Sequence, residues 1–214
     1  MAKYRHIIWD WNGTLWDDSC LCFEITNKML AERNMPLMTQ EYYRSVMRFP
    51  IRDYYSDLGF DFSVEPYESL AHEFIELYDQ RKYDSELREG AVEVLSELKK
   101  NAITQSVLSA YKQDSLDEAL RHYGLHSFFD SVIGLSDIYA SSKVENGKQY
   151  IKKLGLELSE VLFIGDTEHD FETASAMCID SVLIESGHTS RVRLEKCLAP
   201  VFNSLYEIKN YILG

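Results

Sequence analysis

The chain has 214 residues, enough for one large domain or one domain carrying an insertion, and its 45% hydrophobic content supports a sizeable core. A net charge of −13 argues against a nucleic-acid backbone or an anionic membrane surface as the main partner. Cys20, Cys22, Cys178 and Cys197 form no CxxC pair and read as reduced thiols of a cytoplasmic protein, with no signal peptide at the N-terminus and no apolar stretch near the roughly 20 residues that span a bilayer.

Residues 7–10 read as a strand. A helical region follows. Asp18 or Ser19 can N-cap a helix to about residue 33, and Thr39 starts another. Residues 51–58 give a third, stopped by Gly59, and residues 65–82 a fourth, with Leu70, Phe74, Leu77 and Tyr78 at helical spacing. From residue 89 the pattern alternates: helix 89–100, strand 102–109, helix 112–123, strand 131–134, helix 144–154, strand 161–164, helix 168–177 and strand 181–184. A further helix, a short strand near Val201 and a last helix complete it. Such alternation implies βαβ units in a mostly parallel sheet, interrupted after its first strand by a helical insertion packed over one edge.

Open parallel sheets bind ligands at the carboxyl ends of their strands, so the residues following each strand carry the argument. The first strand ends in D-W-N-G-T-L, giving Asp10, Asn12, Gly13 and Thr14. The second ends in V-L-S-A, giving Ser109 and Ala110. The fourth ends in G-D-T-E-H-D, giving Asp166 and Asp170, and Lys143 precedes a helix. Carboxylates, a hydroxyl and a lysine at one sheet edge suit Mg²⁺ and a phosphate. Each element also has a plainer reading. Asn12-Gly13 is a hairpin signal, set aside because W-D-D-S looks like a helix start. G-D-T-E-H-D can be a loop whose Asp caps a helix, and Ser109 and Lys143 can be ordinary polar residues. His169 has no partner at ligand spacing and reads as a non-ligand.

The four motifs together resemble the haloacid dehalogenase superfamily of phosphohydrolases, over the whole chain and most of all its phosphoglycolate phosphatase-like branch. D-W-N-G-T-L looks like the family's D-x-D-G-T-L and G-D-T-E-H-D like its G-D-x-x-x-D; V-L-S-A and Lys143 are the weaker matches. The resemblance implies a Rossmann-like core of residues 1–16 and 88–214 and an α-helical cap of residues 17–87. It makes Asp10 the nucleophile, forming an aspartyl-phosphate. It assigns Mg²⁺ to Asp10, the Asn12 carbonyl and Asp166, with Asp170 orienting the metal's waters. Ser109 and Lys143 would hold phosphate oxygens, with backbone N–H groups of Gly13 and Thr14 adding hydrogen bonds.

The resemblance fails at Asn12, where most phosphatases of the family carry an acid–base Asp. A carboxamide has no titratable proton at neutral pH, and general acid–base help is worth about 10²–10⁴ in rate. Poor leaving groups should therefore turn over slowly, and acyl or aryl phosphates should suffer less. The family's phosphonatases have a small residue at this position and a cap lysine, a role for which neither Lys28 nor Lys82 has a particular claim. Its dehalogenases need no metal, whereas Asp166 and Asp170 favour a metal-dependent site.

In the insertion, M-R-F-P-I-R-D-Y-Y breaks two helices at Pro50, and Arg48 and Arg52 beside it either reach substrate or stay solvated. The expected protein is a cytoplasmic Mg²⁺-dependent phosphatase of a small phosphorylated metabolite, without nucleic acid or membrane as partner, acting as monomer or homodimer. Its cap would hinge near residues 15–18 and 87–90. An acyl-phosphate or phosphonate hydrolase or phosphotransferase, and a catalytically weak regulator that binds a phosphometabolite, are the alternatives.

Overall fold

The four residues of β1 (His6–Trp9) are all buried, as befits a strand covered on both faces. This computed structural model describes residues 3–139 and 143–214. The other strands are β2 (Thr104–Lys112), β3 (Ser131–Leu135), β4 (Val161–Gly165), β5 (Asp180–Ile184) and β6 (Val201–Phe202). They form one sheet in the order β3-β2-β1-β4-β5-β6, with each neighbouring pair parallel. The chain builds outward from β1 through β2 to β3, then returns to β4 on the other side of β1. Strand order therefore reverses between β1 and β4, where a parallel sheet opens a crevice at its carboxyl edge. Register places Trp9 opposite both Val107 of β2 and Ile164 of β4, so the residues that follow these strands emerge together.

The expected α/β class with a Rossmann-like parallel sheet is the class observed. Between β1 and β2 come α1 (Ser19–Glu32), α2 (Gln40–Val46), α3 (Ile51–Asp57), α4 (Tyr67–Arg81) and α5 (Ala91–Lys100). Then follow α6 (Gln113–His122), α7 (Val144–Leu154), α8 (Glu168–Met177), α9 (Arg191–Leu194) and α10 (Leu205–Leu213). Thr39 caps α2 by accepting from Tyr42 N, as its position before Q-E-Y-Y suggested. One boundary differs from expectation: β2 runs three residues beyond Ser109, through a register irregularity against β3. The expected helix after β5 is four residues long.

The segments entering and leaving α1–α4 lie side by side. Trp16 bridges Leu87, Asp17 N donates to Glu86 O at 2.9 Å, and Arg88 N donates to Leu15 O at 2.9 Å. One apolar cluster runs from the sheet through Trp16 into the helices, taking in Leu30, Tyr55 and Leu70. No helix among the described residues is long and apolar enough to cross a membrane.

Candidate active site

β1 delivers Asp10 to the crevice, and Asp10 N donates to Ile164 O at 2.8 Å, tying it to β4. The chain then turns tightly: the Trp11 carbonyl accepts from the N–H groups of Thr14, Leu15 and Trp16, and Gly13 adopts φ 73°, a conformation that disfavours any side chain. This turn aims Asp10 and Asn12 into a cavity of about 160 Å³ beneath the α1–α4 helices.

Four charged groups meet at its floor. Lys143, at the N-terminal end of α7, is 2% exposed. Its Nζ lies 2.5 Å from Asp10 Oδ1 and 2.6 Å from Asp170 Oδ1, and donates to Leu108 O at 3.2 Å. Asp10 Oδ2 makes no hydrogen bond among the described residues. Asp166 is fully buried; Oδ1 accepts from Thr14 Oγ1 at 2.9 Å and Oδ2 from His188 N at 2.6 Å. Asp170 has two jobs. Its Oδ2 accepts from Asp166 N, Thr167 N and Thr167 Oγ1, completing the capping box of α8, while Oδ1 faces Lys143. The helix-cap reading of G-D-T-E-H-D thus holds for a residue that also faces Lys143.

Carboxylate oxygens of Asp10, Asp166 and Asp170 all lie within 4.8 Å of one another, and Lys143 is the ammonium that touches two of the three. Burial pushes the Asp10 carboxyl well above the usual range against the pull of Lys143, with Asp170 and Asp166 adding to the rise. Burial likewise lifts Asp166, opposed chiefly by His188. Asp170 is held below its ordinary value because Lys143 and Thr167 outweigh its burial. Lys143 stays above its ordinary value because Asp10 and Asp170 outweigh the cost of burying it. Hard oxygen donors in excess of local positive charge fit a divalent cation such as Mg²⁺. Two glycines keep room for this arrangement: a Cβ on Gly13 or Gly187 would collide with the Asp166 carboxylate.

Beside this floor lies a second buried group that sequence reasoning missed. Asp18 was expected only as a helix cap, yet it makes no side-chain cap hydrogen bond to α1. Its carboxylate turns inward and accepts from Asn12 Nδ2 at 2.7 Å, Tyr78 OH at 2.6 Å and Gly13 N at 2.9 Å. His188 Nε2 lies 3.3 Å from Asp18 Oδ1, and its Nδ1 is 2.8 Å from Tyr43 OH. Burial opposes charge on both partners. The His188 ion pair, Tyr78 and Asn12 nevertheless hold Asp18 below its ordinary value, and Asp18, Asp166 and Asp10 raise His188 to about 9. The adjacent aspartates of W-D-D-S were the available signal, but a helix start explains them equally well in sequence. His188 stands alone in its segment and gave none.

Ser109 and Ala110 line the cavity; Ser109 Oγ accepts from Tyr111 N at 3.1 Å. Four expected substrate contacts sit elsewhere or are engaged. Gly13 N donates to Asp18 Oδ1 and Trp16 O, and Thr14 N donates to Trp11 O, so the turn itself consumes the amides assigned to phosphate. Arg48 pairs with Asp57 at 2.7 Å, and Arg52 lies over the Phe62 ring. Neither lines the cavity above Asp10, because local acidic and aromatic partners hold both at the surface of the helical insertion. His169 stacks on Phe49 and is not part of the Asp10, Asp166 and Asp170 group.

The helices close over the site through the loop after β5. Ser190 N donates to Arg44 O at 2.9 Å, Arg193 Nη1 donates to Met47 O at 2.5 Å, and Tyr43 meets His188.

A phosphatase of N-acetylmuramic acid 6-phosphate from Pseudomonas putida is 26% identical over 80% of this chain and 78% of its own. A phosphoglycolate phosphatase from Caulobacter vibrioides is 28% identical over 86% of this chain and 80% of its own. Among solved structures, a haloacid dehalogenase-like family hydrolase from Streptococcus pneumoniae superposes with a TM-score of 0.84 at 20% identity, covering 99% of each chain. The family model for haloacid dehalogenase-like hydrolases matches residues 7–184, and the chain belongs to that family.

Proposed function

We propose that the protein is a Mg²⁺-dependent phosphatase that hydrolyses a small phosphorylated metabolite through an aspartyl-phosphate on Asp10. The observation that carries this reading is the junction of Asp10, Lys143, Asp166 and Asp170 at the point where strand order reverses. Asp10 and Asp166, with the Asn12 carbonyl, would hold Mg²⁺, and Asp170 would orient its waters. The cation supplies charge neutralisation at the phosphoryl oxygens.

The residues of the chain do the rest. Lys143 holds Asp10 Oδ1, so Oδ2 is the oxygen available to attack phosphorus. That attack forms the O–P bond of the acyl phosphate and breaks the bond to the leaving oxygen, which departs with its electron pair. Lys143 and Ser109 bind phosphoryl oxygens as charge spreads over them. A water then attacks phosphorus, regenerates the Asp10 carboxylate and releases inorganic phosphate. The helical insertion excludes bulk water and opens near residues 15–18 and 87–90 to admit substrate and release product.

Asn12 favours leaving groups that depart unprotonated. Its amide is turned to Asp18 and to Tyr78 OH at 3.1 Å, and it has no titratable proton to give the leaving oxygen. Acyl and aryl phosphates need neither.

The test is phosphate release from acetyl phosphate with Mg²⁺ and with EDTA, for the native protein and for Asp10→Asn. The reading predicts release only by the native protein and only with the metal. Release by Asp10→Asn at the native rate would dismiss Asp10 as nucleophile.

A further inference from the structure

We propose that the cavity above Asp10 selects phosphate monoesters whose organic part is a single compact aromatic group, and discriminates against substrates bearing a second anion. The inference rests on the phosphatase reading and adds the substrate class to it.

The walls carry the argument. The insertion contributes Ile51, Tyr54, Tyr67, Phe74 and Ile75, and β2 contributes Tyr111. The tyrosine hydroxyls of the insertion point to partners of their own: Tyr54 OH donates to Met38 Sδ at 3.8 Å and Tyr67 OH to Tyr139 O at 3.0 Å. Apart from the Tyr111 hydroxyl, which is buried without a hydrogen-bond partner among the described residues, these side chains offer the cavity rings and aliphatic groups, and such surfaces favour edge-to-face or offset packing with another ring.

The charges point the same way. Among the described lining residues the cationic groups are Lys112, Lys143 and His188. Lys143 serves Asp10, Asp170 and, on the phosphatase reading, the scissile phosphoryl group, and His188 pairs with Asp18. Lys112 lies 3.8 Å from Asp114, and the lining also carries the carboxylate of Asp79, which pairs with Lys82. Arg48 and Arg52 lie outside it. A carboxylate or second phosphate beyond the scissile bond would lose its hydration against aromatic walls, with no free cation among the described residues to replace it. Phosphoglycolate and pyrophosphate both carry such a group.

Size narrows the class. The cavity measures about 160 Å³, on the scale of the engineered ~150 Å³ apolar cavity that takes up benzene. The scissile phosphoryl group over Asp10 shares this space, which leaves room for a small organic part rather than a nucleoside. The leaving-group chemistry agrees, because a phenolate departs without the proton that Asn12 is unable to give.

The experiment compares benzyl phosphate with phosphoglycolate in the presence of Mg²⁺. Both leave as alkoxides, so the comparison isolates recognition of the organic part from leaving-group quality. Acetyl phosphate, small and activated, reports separately on whether the protein is a phosphatase at all. Calorimetric binding of benzylphosphonate and phosphonoacetate reads the cavity without turnover. The expected result is kcat/KM higher for benzyl phosphate by about 10–200-fold, the range an apolar pocket achieves, with a matching preference for benzylphosphonate in Kd. Ile75→Arg, which places a cation in a half-buried wall position, should shrink both preferences at least tenfold. Equal or reversed preferences in the native protein would overturn the proposal. If acetyl phosphate is not hydrolysed while benzylphosphonate binds preferentially, the cavity assignment stands and the phosphatase reading falls.

Discussion

The Asn12 amide donates to the buried carboxylate of Asp18 at 2.7 Å, and this contact determines what Asn12 offers to chemistry. Asp18 collects hydrogen bonds from Asn12, Gly13 and Tyr78 and an ion pair from His188, so it behaves as a fixed anion that locks the amide in one orientation. Replacing Asn12 with Asp therefore does more than restore an acid–base group. It sets two carboxylates against each other in a buried place, where like charges raise one of the pair. Asn12→Asp should lose about 3–5 kcal/mol at pH 8, the scale of an uncompensated buried charge. The added carboxyl is raised on folding, so the folded state keeps a proton that the unfolded state has released, and stability falls as pH rises above the unfolded value. Thermal melts should show a smaller loss at pH 5 than at pH 8; an equal loss would mean that the two carboxylates do not interact.

Lys143 has the opposite relation to its neighbours. It is the ammonium between Asp10 and Asp170, and Lys143→Met leaves those carboxylates facing each other. Turnover should vanish and stability drop by about 3–5 kcal/mol. Added Mg²⁺ should then raise the melting temperature of Lys143→Met more than that of the native protein, since a cation replaces part of the missing charge. An equal rise in both would separate the metal from this cluster.

Gly187 tests the metal assignment without touching a charge. Its Cβ would occupy the space of the Asp166 carboxylate. Gly187→Ala should displace Asp166 and weaken Mg²⁺ binding by about 10–100-fold, as the loss of a group that supports a ligand does. Calorimetry of Mg²⁺ binding checks this, and unchanged affinity would remove Asp166 from the ligand set.

The His188–Asp18 pair predicts a pH window. Asp18, Tyr43, Asp166 and Asp10 surround the imidazole, and it is raised from 6.5 to about 9. Its contribution is fully present below pH 6.5 and is lost as pH rises through about 9; on the order of 3 kcal/mol is at stake. The lowered Asp18 carboxyl contributes above its unfolded value near 3.8, and that share is lost as pH falls through the folded value. His188→Gln should flatten the decline in stability between pH 6.5 and 9, measured by denaturant unfolding. A decline that persists unchanged would place its origin elsewhere.

Much of this was legible in sequence, for physical reasons that differ by residue. Asp10, Lys143, Asp166 and Asp170 follow apolar strands or precede helices, and a parallel sheet delivers such positions to one edge whatever the details of packing. The helix over residues 67–81 announced itself by the spacing of Leu70, Phe74, Leu77 and Tyr78, and that over residues 40–46 by its Thr39 cap. Asp18 was hidden because a polar residue before a helix is ordinarily its cap; only the packing of Tyr78 and His188 turns it inward. His188 was hidden because a single residue in a loop has no periodicity. Arg48 and Arg52 show the reverse failure: their composition suited an anionic substrate, but Asp57 and the Phe62 ring claim them first. The extension of β2 to Lys112 carries the strand up to the position where the helix was expected to begin and makes Ser109 part of a strand wall.

The most direct measurement is kcat/KM with Mg²⁺ across a series of phosphates whose leaving groups run from acyl and aryl to alkyl. With Asn12 committed to Asp18 and Tyr78, the leaving oxygen receives no proton from that position. The account predicts a steep decline in rate with leaving-group basicity, with alkyl esters carrying the ~10²–10⁴ loss that belongs to missing general-acid help. A flat dependence, with alkyl and aryl esters turned over alike, would contradict it and show that another group protonates the leaving oxygen.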